Sequence, residues 1–218
     1  MLKLSGFIDI EGFEHQALFD SCDYYWEAIA RLPQYLNSAL NPCIIGRVHP
    51  MTDISGAVFI DEGSIVEIGT KIVGPVYIGK NCRIRAGSYL HGNVIMGDDV
   101  DFGHTCNAYS SVILGKTTIF PMCFIGSSLI GSNTYLQAGC MLNGLTLSHD
   151  EIAVRVSGEI FSTGMRNLGA LIGHDSRLGG GVTTVPGTMV GPRSVIQDNA
   201  FLSGFYGPKT VIRTEWHR

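Results

Sequence analysis

The chain has 218 residues, enough for one substantial core and too few for two full domains. It is 45% hydrophobic, 16% charged and carries 28 glycines, a low-charge, turn-rich composition that points to an all-β or repeat architecture. A formal charge of −4 without any Lys/Arg-rich run argues against nucleic acid or an anionic membrane as partner. No run reaches the roughly 18 apolar residues of a spanning helix, and the first residues lack a signal-type apolar region, so a cytoplasmic protein is expected.

Residues 1–47 read as an extension. Leu18, Cys22, Trp26 and Ile29 fall on one helical stripe, with Asp20 or Ser21 as a cap and Pro33 opening a second short helix through Leu40. Tyr25 and Trp26 are expected to cap the open end of the following domain, because a bare parallel edge invites association.

Residues 48–205 carry a period of six. Ile54, Ile60, Val66, Ile72, Ile78, Ile84, Leu90, Met96, Phe102, Ala108, Leu114 and Phe120 are all apolar, an outcome expected by chance on the order of once in 10⁴ sequences of this composition. Four residues after each comes a small or β-branched one, from Val58 through Cys82 and Cys106 to Thr118. Glycine follows the apolar position at 79, 97, 103 and 115, where a tight corner excludes a Cβ. Six is neither a helical nor a hairpin period, but a short strand plus a turn satisfies it. Three such units close a triangular coil that stacks on the next at about 4.8 Å. The beat shortens to five within "TTIFPMCFIGSSLIG" (117–131), which contains Pro121, and resumes at Ile172, Leu178, Thr184, Val190, Ile196 and Leu202.

Between the two runs, residues 146–168 leave the period. The alternation Ile152, Val154, Val156, the Ser157–Gly158 turn and Ile160 read as a β-hairpin excursion, and loops of this length on a rigid solenoid are more often functional than mere connections. Residues 206–218 read as a tail. The six cysteines form no C-x-x-C pair and no metal-finger spacing. Cys82, Cys106, Cys123 and Cys140 fall in the small slot of the repeat and are read as buried packing residues.

The hexad pattern resembles the left-handed parallel β-helix of hexapeptide-repeat acyltransferases. The segments "PVYIGKNCRIRAG", "GHTCNAYSSVILG", "FIGSSLIGSNTYLQAGCMLNGL" and "VRVSGEIFSTGMRNLGALIG" look more specifically like the acetyltransferase half of the sugar-1-phosphate nucleotidylyltransferases that make UDP-N-acetylglucosamine. "STGMRNLGALIG" is similar to that group's T-G-x-R-K-x-G-x-x-I-G run, and "LFDSCDYYWEAIARLPQYL" to the helix joining its two halves. The likeness covers nearly the whole chain but no nucleotidyltransferase domain, since no G-x-G-x-x-G loop is present. It implies an all-β left-handed β-helix with a short N-terminal helical cap, a homotrimer, acetyl-CoA as co-substrate in the groove between prisms, and an amino-sugar phosphate or sugar nucleotide as ligand.

The same likeness implies a site with several replacements. The family's histidine base falls on Pro121, the tyrosine after it on Phe124 and the following aspartate on Ser127. The lysine that holds the sugar phosphate falls on Tyr109 and its neighbouring acid on Asn107. Asn143, in "AGCMLNG", is kept. Substrate contacts are therefore expected from Asn107, Tyr109, Phe124 and two anion-holding candidates in the excursion, Arg155 and Arg166. Acyl transfer needs a base near neutrality, for which His104 and His91 stand in beside Asn143, with His149 a weaker candidate. His174 and Ser127 are assigned to the acyl-CoA side. A zinc site of the carbonic anhydrase type is rejected, because five residues after His104 stands Tyr109 and three imidazoles are not assembled. Three functions remain open: a trimeric acyltransferase acting on an amino-sugar phosphate or sugar nucleotide; a catalytically degenerate β-helix that binds a sugar nucleotide or serves as trimer scaffold for a separate nucleotidyltransferase subunit; or an acyltransferase with a relocated base, His104 or His91, and a new substrate.

Overall fold

The computed structural model describes residues 3–213. The body is a solenoid of three parallel sheets. Face A runs from Cys43–Ile44 to Phe205–Tyr206, face B from Arg47–Val48 to Val211–Ile212, and face C from Asp53–Ser55 to Phe201–Leu202. Successive strands pass from A to B to C, and each pairs with its counterpart one coil on, as Ile60 with Ile78 and Ile72 with Leu90. Ile60, Ile72, Ile78, Ile84, Leu90, Met96 and Phe102 share one solvent-free interior, each such side chain contributing about 1.5–3 kcal/mol by leaving water. Glycine at the corners allows the coils to close up: a Cβ on Gly103 would stand 2.6 Å from the carbonyl carbon of Phe120.

The small slot does more than fill volume. Ser88 Oγ donates to the carbonyl of Gly103 (2.7 Å), Cys106 Sγ to Phe120 (3.1 Å), Cys123 Sγ to Gln137 (3.2 Å) and Cys140 Sγ to Gly179 (3.2 Å). Each corner carbonyl thus gains a donor from the neighbouring coil, which matters where water is excluded. All four packing cysteines are buried and none is in a disulfide; burial pushes the Cys82 thiol up to about 11, away from nucleophilic use.

The period of six ends earlier than the sequence suggested. After Ala108 the interior residue is Ile113, not Leu114, and the next is Ile119, not Phe120. Tyr77 pairs with Ile95, eighteen residues on, whereas Ile95 pairs with Val112, seventeen on. A second short step follows from Ile125 to Ile130. Pro121 lies in neither; it sits in the full-length turn from face B to face C. The phase was ambiguous because Ile113–Leu114 and Ile119–Phe120 are both apolar pairs. Leu114 points out of the prism and is buried beneath the N-terminal segment, while Phe120 packs on Tyr135 across face B with centroids 5.1 Å apart.

The N-terminal segment does not cap the open end. It contains one helix, Tyr25–Ala39, with Pro33 inside it, and neither Asp20 nor Ser21 caps it. Its start is held by the Glu27 carboxylate, which accepts from the N–H groups of Asp23 and Tyr24. Tyr25, Trp26, Ile29 and Leu32 bury against the outer side of face A, where Tyr77, Ile95, Val112, Leu129, Leu171 and Met189 form an apolar stripe. That stripe belongs to a second outward series, so burying it outweighs covering the end. Ile44 and Met51, in the first coil, remain 51% and 69% exposed.

The excursion is the expected hairpin. Ala153–Val156 pairs antiparallel with Glu159–Ser162, and the turn places Ser157 and Gly158 at φ of 50° and 89°, the primed geometry that suits hairpin twist. Ile152, Val154 and Val156 join the arm's cluster, and Phe161 lies 5.7 Å from Tyr24, which stacks on Trp26 at 4.5 Å. The solenoid already begins at Cys43, within the segment read as extension, and its last strand, Val211–Ile212, lies within the segment read as tail. The rest of that tail, 214–218, lies outside the described residues.

Candidate functional site

From the second coil onward, every corner from A to B and from B to C takes six residues between interior positions. All the departures lie on the corner from C to A: Ala108 to Ile113, Ile125 to Ile130, Leu142 to Ile172 with the hairpin between them, and Leu202 to Tyr206. Where the chain is shortened or lengthened along one edge, that edge is free to carry side chains that the hexad would exclude. The candidate site sits there.

Its centre is Asn167. The Tyr109 hydroxyl donates to Asn167 Oδ1 at 3.2 Å and the Ser127 hydroxyl to the same oxygen at 2.9 Å. Tyr109 fits because its neighbours are glycines: a Cβ on Gly126 would lie 2.8 Å from its ring and one on Gly144 3.1 Å from its hydroxyl and 2.6 Å from Asn167 Oδ1. Gly169 lets the returning chain pass beneath, since a Cβ there would fall 2.0 Å from the Gly126 carbonyl oxygen and 2.1 Å from Ser128 Oγ. The result is a packed, hydrogen-bonded plug. Ser127 is itself buried. Asn143, next to Gly126 along face C, has its Nδ2 on the Thr184 carbonyl at 3.2 Å.

Outward along face C runs an aromatic row. Tyr89 stacks on His91 (4.3 Å, 17°), His91 on Tyr109 (5.5 Å, 26°), and Tyr109 meets Phe124 at 5.7 Å. Burial lowers the His91 imidazole below its ordinary pKa, with the Asn107 side chain pulling weakly the other way; Asn107 Oδ1 is buried and makes no well-formed hydrogen bond. A lowered pKa keeps His91 neutral at pH 7.

The structure therefore gathers His91, Asn107, Tyr109, Phe124, Ser127 and Asn143 into one patch. It does not bring the others there. His104 is exposed at the corner from B to C, where its carbonyl accepts from the Met122 N–H beside Pro121. His174 lies at the corner from A to B, with Nδ1 2.8 Å from Asp175 and its backbone N–H on the Phe7 carbonyl. Hydrogen bonding from Asn133, and then from His174, holds the Asp175 carboxyl below the usual carboxylate range. Arg155 projects from the solvent side of the hairpin and Arg166 lies near Glu151; His149 occupies the exposed loop that leads into the hairpin. Asn167 is the residue that sequence reasoning missed. Its signal was present, since "STGMRNLG" has asparagine where the T-G-x-R-K-x-G run has lysine. Among the described residues no group of three or more His, Cys, Asp or Glu side chains is placed to hold a metal, and no helix is long and apolar enough to cross a membrane.

Comparison with known proteins bears on this edge. Residues 72–166 match the family model "GMPPB C-terminal domain". Over 209 residues the chain is 30% identical to a bifunctional sugar-1-phosphate nucleotidylyltransferase/acetyltransferase of Sulfurisphaera tokodaii, covering 93% of this chain and 52% of that protein. Over 193 residues it is 33% identical to the bifunctional protein GlmU of Methanococcus maripaludis, covering 88% and 46%. The chain belongs to the hexapeptide-repeat acetyltransferase family. It spans about half the length of these relatives. The solved structure of the polySia-specific acetyltransferase NeuO is similar in fold, with a TM-score of 0.52 at 16% identity over 75% of this chain and 81% of that one. The solenoid is thus the left-handed parallel β-helix of these acyltransferases.

Proposed function

We propose that this family member is a homotrimer that binds acetyl-CoA and an amino-sugar phosphate or sugar nucleotide between neighbouring prisms, and that acyl transfer itself has been lost. The observation that carries the reading is the closed group Tyr109–Asn167–Ser127. Transfer of an acetyl group from a thioester to an amine requires a base near neutrality and donors aimed at the tetrahedral oxyanion. Pro121, at the position matched to the family's histidine, offers no base. The two hydroxyls nearest the edge are engaged with one carboxamide oxygen, and the position matched to the phosphate-holding lysine is the tyrosine that fills the corner. Such a protein, in the cytoplasm, would serve as a ligand-binding scaffold for a separate nucleotidyltransferase subunit.

A second reading has one observation in its favour. His91, stacked between two tyrosines and kept neutral by burial, is a base of suitable protonation state in the same patch. Calorimetric titration of the purified protein with acetyl-CoA, UDP-N-acetylglucosamine and glucosamine-1-phosphate tests the primary reading. Saturable binding of acetyl-CoA and of one sugar ligand is expected; no binding of either class overturns it.

A further inference from the structure

Leu147 is the most exposed large apolar side chain among the described residues, at 104%, and Leu145 nearby is 47% exposed. Both sit on the loop that leaves face C after strand Met141–Leu142, at the corner towards A. A leucine held this far into water on an ordered chain is an unpartnered knob.

A hole of matching character lies on face B beside the other border of face C. It is a cavity of about 430 Å³ whose lining includes Phe120, Pro121 and Tyr135 together with Thr118, His104 and Arg85. Arg85 is already paired to Asp101 at 2.6 Å. Arg177, 5.2 Å from the Tyr135 ring, has no acidic partner among the described residues. On the knob, Asp150 is exposed and equally without a cationic partner.

Heights agree as well. The loop leaves from Met141–Leu142, and the strand that precedes it in the same coil on face B is Tyr135–Leu136, a wall of the cavity; the other walls, Phe120 and Pro121, belong to the coil just before. A rotation axis parallel to the prism preserves height, so only a partner of equal height can be met in a closed ring. Knob and hole also flank the same face, which is the arrangement a head-to-tail contact needs to close rather than extend into a filament.

We infer that Leu147 of one copy seats between Phe120, Pro121 and Tyr135 of the next, with Asp150 approaching Arg177, so that the hairpin loop is the interlock of the ring. Face C then looks towards the axis, and its row Tyr89, His91, Tyr109 and Phe124 lines the interior. The inference rests on the trimer of the proposed function and adds the residues that make it.

Sedimentation and oxidative cross-linking test it in a Cys43→Ser background, which removes the exposed thiol. Leu147→Cys combined with Thr118→Cys, a residue of the cavity wall, should yield a covalent trimer on mild oxidation, and neither single variant should. Leu147→Asp should leave the circular dichroism spectrum unchanged and raise the concentration for half-dissociation at least tenfold. A trimeric parent with no cross-link and an unshifted Leu147→Asp variant overturns the interlock while leaving the trimer standing; a monomeric parent overturns both.

Discussion

The two regular edges of the prism and the edge from C to A are made by the same chain under different rules. At the regular edges an interior residue, a small corner residue and a turn recur every six positions, and the coils stack with carbonyls met by serine, threonine or cysteine. At the third edge the step is six at Ile72–Ile78, Leu90–Met96 and Thr184–Val190, but five, five, thirty and four at Ala108–Ile113, Ile125–Ile130, Leu142–Ile172 and Leu202–Tyr206. In a solenoid each coil depends only on its neighbours, so irregularity confined to one edge leaves the other two intact. Side chains with chemistry collect where the period is broken.

The contrast can be tested at glycines. Gly169→Ala places a Cβ 2.0 Å from a backbone oxygen at the irregular edge and should cost about 3 kcal/mol or somewhat more, read as a shifted urea midpoint. Gly207→Ala, whose Cβ would meet nothing within 4 Å, should stay within about 0.5 kcal/mol of the parent. Gly207 lies in the last coil, so equal costs at both sites would mean that close packing on Gly126 and Ser128 is not what excludes a side chain at Gly169.

A smaller effect is expected from Asn167→Ala, which leaves the Tyr109 and Ser127 hydroxyls without their acceptor and should cost about 1–3 kcal/mol. For a chain of this length that corresponds to a drop in melting temperature of roughly 2–12 °C. Asn167→Asp, which keeps an acceptor, should lose less. Identical losses for the two variants would mean that the hydrogen bonds are not what closes the corner.

The smallest expected effect concerns the arm on face A. His15 is buried, with Nδ1 2.9 Å from the Tyr35 hydroxyl, its ring edge-on to Tyr77 at 4.2 Å, and Nε2 without a partner. Burial lowers its pKa below 6.5, the neighbouring Glu14 carboxylate opposing in part; Tyr35 from the helix and Tyr77 from face A, which donates to Glu14, complete its surroundings. The unfolded chain therefore binds more protons than the folded one just below pH 6.5, and stability falls as pH drops through that window. Melting temperature should decline between pH 7 and pH 5, and less so in His15→Gln; an unchanged slope in the variant would remove His15 from the account.

Much of this was legible in the sequence. The hexad was countable, and the cysteines and hairpin fell where their spacing put them. What misled was degeneracy. Two adjacent apolar residues, as in Ile113–Leu114, satisfy either phase, and only the apolar arm lying on face A explains why Leu114 can point outward. The arm's position was likewise hidden, because the stripe it covers is spread over strands eighteen or seventeen residues apart. Tyr109 was identified by resemblance, but its partner Asn167 lies fifty-eight residues on, a contact that no local pattern encodes.

Thiol release from acetyl-CoA in the presence of glucosamine-1-phosphate, followed with the wild-type protein at saturating ligand, tests the closed corner most directly. The account expects release at the rate of buffer alone. Protein-dependent release that disappears in His91→Ala would contradict it and establish the relocated base instead.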